Sequence, residues 1–198
     1  MKARGFTMLE LMVVVLITGI LLAIAVPSFR TTIQQHRLRS ATDNLQAAVD
    51  YARSEAVLRA TYVSLCASAD GATCSTTKNY DTGWLVYAHP VATTTATDVY
   101  TTDTAKGMLM LRVGAAMSQV SAQGLDSNVV TFGQQGQLEP IASRTNATQP
   151  MYFILCAITT GSTTPGQNTT KVPGSRIGIS AFGASAGTKL NTTDACTT

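Results

Sequence analysis

A run of nineteen uncharged residues near the start of the chain places the strongest constraint on its fold. The run extends from Leu11 to Phe29, with the sequence LMVVVLITGILLAIAVPSF. A helix of about 20 apolar residues crosses the roughly 30 Å hydrocarbon layer of a bilayer. The basic residues Lys2 and Arg4 precede the run, and basic flanks favour the cytoplasmic side of a membrane. The sequence therefore predicts a single membrane-spanning helix whose amino end faces the cytoplasm.

Two general kinds of export segment have such a run. A cleaved secretory signal needs a small-x-small site after its apolar region, and the residues that follow Ala25 are Val26, Pro27 and Ser28, a poor match. A plain signal anchor needs no such site and fits the run. The uncleaved anchor therefore remains the simpler alternative.

Two residues at the head of the run do not fit a plain anchor. Glu10 directly precedes Leu11, and an ionised side chain at the centre of a membrane helix costs roughly 2.5–3.5 kcal/mol, less near the interface. Its carboxylate therefore requires a partner or a shallow position. Gly5 precedes Phe6 on the cytoplasmic side of the same run.

The segment Gly5-Phe-Thr-Met-Leu-Glu10-Leu resembles the G-F-T-L-x-E-L motif of type IV pilins and pseudopilins. In that family a prepilin peptidase cleaves after the glycine and methylates the new amino terminus. The resemblance implies that residues 1–5 are a leader and that Phe6 becomes the N-methylated end. It also implies a partner for Glu10, namely the terminal ammonium of a neighbouring subunit in a fibre.

Beyond the apolar run the periodicity becomes amphipathic, with apolar residues at three- and four-residue steps from Ile33 to Val57. We predict one helix over 6–58, in which 6–29 is the transmembrane or fibre-core part and 30–58 packs on a globular domain. Pro27 lacks an N–H and is expected to bend or loosen this helix. The arginines of the second half are interpreted as a solvated helix face: Arg37, Arg39 and Arg53.

Residues 59–198 are expected to form a β-rich globular domain. In Thr61–Ala67, Val63 and Leu65 alternate with Ser64 and Cys66, which is typical of a strand. The expected fold class is therefore α+β, with a long N-terminal helix packed on antiparallel β-sheets. Five further segments are predicted strands: 83–88, 108–113, 129–132, 151–158 and 176–182.

The four cysteines, Cys66, Cys74, Cys156 and Cys196, form no C-x-x-C pair, so they do not suggest a zinc site. An even number in an exported chain favours disulfides. Of the three possible pairings we prefer Cys66–Cys74 with Cys156–Cys196; four buried thiols are the alternative.

Three further segments resemble the GspH/FimT family of H-type pseudopilins and FimT/FimU minor pilins. Val129-Val-Thr-Phe-Gly-Gln-Gln-Gly136 is similar to its V-x-F-x-x-x-G element, and Ala52-Arg-Ser-Glu-Ala56 to its A-R-S-E-A stretch. The pair Gly83-Trp84 is also similar. The resemblance implies a minor subunit that primes assembly of a type IV pilus or a type II secretion fibre; the cysteines and Thr-rich loops favour the pilus.

This interpretation implies particular partners and a location. The expected partners are other minor and major subunits, the prepilin peptidase and the bacterial inner membrane, with the C-terminal domain in the periplasm and later in the fibre tip. We expect no cofactor and no metal. An enzyme is not expected, because His36 and His89 lie near no residues that suggest a triad and the sequence has no phosphate-binding glycine loop.

Two other functions remain open. Some FimT-like pilins bind DNA through a C-terminal G-R-x-R cluster, and basic side chains can contact phosphates. The comparable residues here, Gly174-Ser-Arg176-Ile-Gly178, keep one arginine, so Arg176 and nearby Lys171 are weak candidates for DNA contact. The other alternative is a membrane-anchored adhesin or enzyme that shares only the pilin leader.

Overall fold

A 52-residue helix, α1 (Met8–Arg59), is the longest element of the chain. At about 1.5 Å per residue it extends about 78 Å. The structure is a computed structural model that describes residues 7–91, 93, 98–125, 128–140, 149–158 and 165–196, with the backbone alone described at position 27. Gly5 and Phe6, on which the expected cleavage depends, lie outside these residues.

Both ends of α1 have capping interactions. The hydroxyl of Thr7 accepts a hydrogen bond from the Glu10 N–H at 3.2 Å, which satisfies one of the N–H groups that a helix start leaves without a partner. At the other end Ala60 takes a left-handed conformation, with φ 49°, and its N–H reaches the carbonyls of Ala56 and Val57. The helix is continuous through position 27, and the bend expected at Pro27 stays a prediction.

The strands that follow form two antiparallel four-stranded sheets among the described residues. The first sheet has the order β3-β2-β1-β5 and the second the order β4-β6-β7-β8. Their bounds are β1 (Val63–Ala67), β2 (Trp84–Ala88), β3 (Leu109–Gly114), β4 (Val120–Gly124), β5 (Val129–Phe132), β6 (Met151–Ala157), β7 (Ser175–Ile179) and β8 (Ser185–Lys189). Short 3₁₀ turns lie at Tyr80–Thr82 and Thr104–Lys106. The expected α+β class, a long helix on antiparallel sheets, is confirmed.

One hydrophobic core joins α1 to the inner faces of both sheets. Leu45, Val49 and Ala52 of α1 are fully buried against it. Val63 and Leu65 of β1 face this core, as their alternation predicts, whereas Cys66 lies in a second cluster on the outer face of the first sheet. The amphipathic half of the helix is therefore the central element of the globular domain.

Two strands of the structure are not among those predicted from the sequence. β4 (Val120–Gly124) and β8 (Ser185–Lys189) consist largely of small and polar residues, and β8 is mostly exposed. Both are edge strands. β4 places the small apolar side chains of Val120 and Ala122 in the main core, whereas β8 is held mainly by backbone hydrogen bonds to β7. Phe182, expected within a strand, lies instead in the turn between β7 and β8 and is 81% exposed.

The disulfides fix connecting segments to the outer faces of the sheets. The structure pairs Cys66 with Cys74 and Cys156 with Cys196, the arrangement preferred from the sequence. Cys66 and Cys74 lie in the outer cluster of the first sheet with Tyr87. The second pair lies in the outer cluster of the second sheet. Each bond therefore anchors a segment that lacks an extensive core of its own.

Arg53 is not the solvated side chain that its sequence context suggested. Its Nε donates to the carbonyl of Gly136 at 3.1 Å, and a terminal nitrogen donates to the carbonyl of Phe182 at 3.1 Å. The first carbonyl belongs to the turn after β5 and the second to the turn between β7 and β8. One helix residue thus connects a turn of each sheet.

The two turns also meet directly at glycines. Gly136 and Gly183 have φ angles of 77° and 79°, in the left-handed region that favours glycine. A Cβ on Gly183 would overlap the carbonyl of Gly136, so no larger residue fits there without a shift of the turn. This approach brings both carbonyls within reach of the same guanidinium.

Replacement of Arg53 by Met is expected to destabilise the domain. The change replaces the arginine by an apolar side chain of similar length and leaves the partly buried carbonyl of Gly136 and the exposed carbonyl of Phe182 without their donor. Hydrogen bonds to charged groups contribute roughly 1.5–3 kcal/mol each when well buried, so we expect a loss of about 2 kcal/mol in the free energy of unfolding. Chemical denaturation of the full chain in detergent measures it. Arg39→Met, on the exposed part of the same helix, is the matched control; equal losses in both variants would show that Arg53 does not connect the turns.

The two disulfides are expected to differ in their contribution to stability. Their sequence separations are 8 and 40 residues. Chain-entropy estimates give about 2.5 kcal/mol for the shorter loop and about 4 kcal/mol for the longer. The double variant Cys156→Ala/Cys196→Ala should therefore unfold at lower denaturant than Cys66→Ala/Cys74→Ala. The reverse order would mean that strain or residual structure outweighs loop closure.

Candidate functional site

The first half of α1 projects from the domain as an apolar stem, which we define as Met8–Phe29. Its described side chains contact no other part of the domain: Leu9 is 74% and Ile24 is 70% exposed. The helix is long and apolar enough to cross a membrane, with a window of mean hydropathy 2.8. At about 1.5 Å per residue the stem measures about 33 Å, close to the thickness of a bilayer core. Its surface therefore requires a nonaqueous partner.

The hydroxyl of Thr18, in the middle of the stem, has a hydrogen-bond partner within the helix itself. Thr18 Oγ1 donates to the carbonyl of Val14 at 2.7 Å, four residues earlier. This local bond allows a hydroxyl to lie on an otherwise apolar surface. A Cβ on the neighbouring Gly19 would meet nothing within 4 Å. Among the described residues, therefore, no close packing requires a glycine at this position.

Glu10 lies in the first turn of α1, at the third position after the N-cap Thr7. Negative charge there is favoured by the helix dipole. Within the described residues the Glu10 carboxylate makes no hydrogen bond or ion pair with a side chain. The sequence Thr7-Met-Leu-Glu10 has the T-x-x-E pattern of a helix start, a signal for Thr7 that the motif-based interpretation missed.

The candidate DNA contacts lie in different surroundings. Arg176 is on the outer face of the second sheet, where its guanidinium lies 5.6 Å from the ring centre of Tyr152 and 3.9 Å from the Asp194 carboxylate. Lys171 lies in the segment before β7, and its carbonyl accepts a hydrogen bond from Gln35 of α1 at 2.6 Å. The one arginine of the expected cluster thus has an acidic neighbour, which gives no support to a role in phosphate binding.

A buried polar group lies in the first sheet at His89. Ser64 Oγ is 2.8 Å from His89 Nε2 and 2.7 Å from Thr131 Oγ1. Ser64, Thr131 and His89 are all buried, so a substrate cannot reach the hydroxyl. Desolvation lowers the pKa of His89 to about 4, partly opposed by Asp98. The group therefore has a structural role, with a neutral imidazole at ordinary pH.

Comparison with known families identifies the class of protein to which this fold belongs. A family model described as Type II transport protein GspH matches residues 41–183, more than half of the chain. The chain belongs to the GspH family. A second model, described as the Prokaryotic N-terminal methylation motif, matches residues 1–26. The expected membership among GspH/FimT-like minor pilins and pseudopilins is confirmed, and with it the expectation of a structural subunit rather than an enzyme.

A solved structure supports the fold. A crystal structure of the type IV minor pilin FimU from Pseudomonas aeruginosa has a TM-score of 0.53 and 20% identity, and the match covers 81% of this chain and 92% of that one. A second crystal form of FimU gives a TM-score of 0.49 and 20% identity, with 79% and 95% covered. A comparison with curated proteins found no match. At this identity the likeness extends to the fold alone.

The geometry explains two of the GspH-family segments together. In the V-x-F-x-x-x-G element, Val130 and Phe132 are buried in the main core. Gly136 of the same element accepts the hydrogen bond from Arg53, which belongs to the A-R-S-E-A stretch. Two segments separated by about eighty residues in sequence thus form one contact. This contact stabilises the domain and leaves the stem free.

Acidification is expected to destabilise the domain through His89. The unfolded chain binds a proton with a pKa of about 6.5, whereas the folded chain binds it at about 4. Stability should therefore fall as the pH falls from about 6.5 to about 4, by on the order of 2 kcal/mol from this group. His89→Gln, which retains an N–H donor, should show a weaker pH dependence in denaturant titrations. His36→Gln, on the exposed helix face, is the control, and an equal response of both variants would contradict this origin.

Proposed function

We propose that this GspH-family chain is a minor subunit that assembles into, and primes, a fibre of the type IV pilus or type II secretion kind. The observation that carries the proposal is the division of α1 into an exposed apolar stem and a half that forms the core of the domain. A soluble protein would bury such a surface. Both proposed environments would bury the apolar surface of the stem: the bilayer before assembly and the bundle of stems after it.

The stem enters the inner membrane with its amino end toward the cytoplasm. Lys2 and Arg4 favour that orientation. It leaves the globular domain in the periplasm, where the bonds Cys66–Cys74 and Cys156–Cys196 are able to form. A prepilin peptidase then cleaves after Gly5 and methylates Phe6.

Glu10 sets the axial position of the stem when a subunit joins the fibre. Its carboxylate lies one helical turn inside the mature amino end and has no side-chain partner in the described residues. In a bundle of apolar stems an unpaired carboxylate is strongly disfavoured, whereas a carboxylate paired with an ammonium is tolerated. The ammonium of a neighbour's Phe6 supplies this pairing at one stagger of the two helices.

Glu10→Gln tests this role in the producing bacterium. Glutamine keeps the size and the helix-start preference of glutamate and removes the charge. We expect cleavage after Gly5 to continue, measured by the mass of the membrane-bound chain, and the amount in sheared fibres to fall at least about tenfold, since a single ion pair lost in an apolar bundle corresponds to more than 1.4 kcal/mol.

Thr7→Ala is the matched control for this experiment. It removes the cap of the same helix turn, at a cost of about 1 kcal/mol in helix stability, and keeps the carboxylate. We expect it to enter fibres. Assembly of Glu10→Gln at the normal level would refute the register role, and absence of the unaltered chain from fibres would refute the proposed function itself.

A further inference from the structure

A groove lies between α1 and the open edge of the first sheet, with a volume of about 380 Å³. One wall is α1, with Arg37 and Asn44; the other is β3 with the segment after it, and includes Arg112 and Ser118. Trp84 of β2 lies at its base. We call it the Arg37–Arg112 groove.

Both arginines are held in position by neighbouring side chains. The guanidinium carbon of Arg112 lies 5.6 Å from the ring centre of Tyr51 and 5.6 Å from that of Trp84. These contacts orient the cation by attraction to two aromatic faces. Arg37 donates a hydrogen bond to the side-chain carbonyl of Gln119. Fixed cations lose less conformational entropy than free ones when they bind an anion.

The groove contains no acidic side chain to balance these cations. None of its lining residues is Asp or Glu, and the ion pairs within the described residues, Glu55–Arg59 and Arg176–Asp194, involve other arginines. The groove on the opposite flank of α1, about 440 Å³ in volume, differs because Asp43 lies there with Arg39 and Lys189. One flank of the helix thus offers positive charge alone.

We propose that the Arg37–Arg112 groove binds an acidic segment of a neighbouring subunit in the fibre. This inference rests on the proposed function, because only assembled stems bring a second domain beside this one. Arg37 lies eight residues beyond the end of the stem, about 12 Å further along the helix, so a neighbour whose stem packs alongside passes this level. Carboxylates fit the planar guanidinium and form paired charge-assisted hydrogen bonds with it.

Two other anionic partners fit the groove less well. The headgroup layer of a bilayer extends roughly 5–8 Å beyond the hydrocarbon, which is short of Arg37 when the stem spans the membrane. A DNA backbone presents a continuous line of phosphates and is bound by extended basic surfaces, whereas this groove presents two cations in a cavity of side-chain size.

Trp84 gives a direct measure of occupancy, because it is the chain's single tryptophan and lies under Arg112. Hexaglutamate, titrated into the full chain in nonionic detergent at low salt, should change its emission saturably and lose affinity as salt is added. Arg37→Gln and Arg112→Gln should each weaken binding about tenfold. Arg39→Gln, two residues from Arg37 on the other flank, should leave it unchanged.

Further measurements separate binding from folding and from other ligands. Arg112→Lys keeps the charge but lacks the planar fork, so we expect intermediate affinity, and thermal unfolding of each variant checks that the domain is intact. Oligothymidylate, and phosphatidylglycerol in mixed micelles with the same detergent, are the competing probes. A response of Trp84 to either of these probes, without one to hexaglutamate, would overturn the proposal.

The decisive test takes place in the fibre. A photoreactive p-benzoylphenylalanine at Ala116, on the rim of the groove, should crosslink to another fibre subunit, and Arg37→Glu/Arg112→Glu should abolish that crosslink. Unchanged crosslinking in the double variant would refute binding of an acidic segment in the Arg37–Arg112 groove, while the proposed function would stand. Absence of the unaltered chain from fibres would instead refute the proposed function.

Discussion

The burial of one face of α1 against two sheets is the interaction on which the rest of the structure depends. Leu45, Val49 and Ala52 are fully buried there, and the inner faces of both sheets meet the helix in one core. Both the position of the stem and the two flanking grooves follow from it, because a helix fixed along half its length can leave that core only at its amino end. The burial of apolar side chains also holds the helix in place without any contribution from the stem.

Polar contacts of arginine side chains supplement the hydrophobic packing of α1. Arg53 connects a turn of each sheet to the helix, and the close approach of Gly136 to Gly183 makes this possible. Arg112 and Arg37 interact differently: two aromatic rings orient Arg112, and the Gln119 side-chain amide accepts a hydrogen bond from Arg37, beside a groove whose lining has no acidic residue. Arginines that are indistinguishable in the sequence thus have different roles. Arg53 connects two turns within the domain, whereas Arg37 and Arg112 line an open groove.

The sequence predicts those features that depend on a repeating pattern or a specific motif. The helix, the alternation of β1 and the family follow from periodicity and from the residues around Gly5 and Glu10. β4 and β8 could not be predicted from their residues. β4 places only the small apolar side chains of Val120 and Ala122 in the core, and β8 is mostly exposed and held by backbone pairing with β7. Arg53 could not be assigned either, since its partners lie about 80 and 130 residues away and accept through backbone carbonyls. The capping role of Thr7 is predictable from the T-x-x-E pattern, although the same residues also form part of the pilin motif from Gly5 to Leu11.

Because α1 has two halves with separate partners, stability and assembly are physically separable in this protein. From Leu38 onward one face of α1 is buried within the subunit, so changes on that face act on the free energy of unfolding. The described side chains of the stem contact no described part of the globular domain, so changes there are expected to alter mainly the free energy of the subunit in the proposed membrane or fibre. Arg37 lies just where the helix enters the domain, and it contacts the domain through Gln119 while its groove remains open. In the proposed fibre, Arg37 is therefore the residue at which contact with a neighbouring subunit would act most directly on the globular domain.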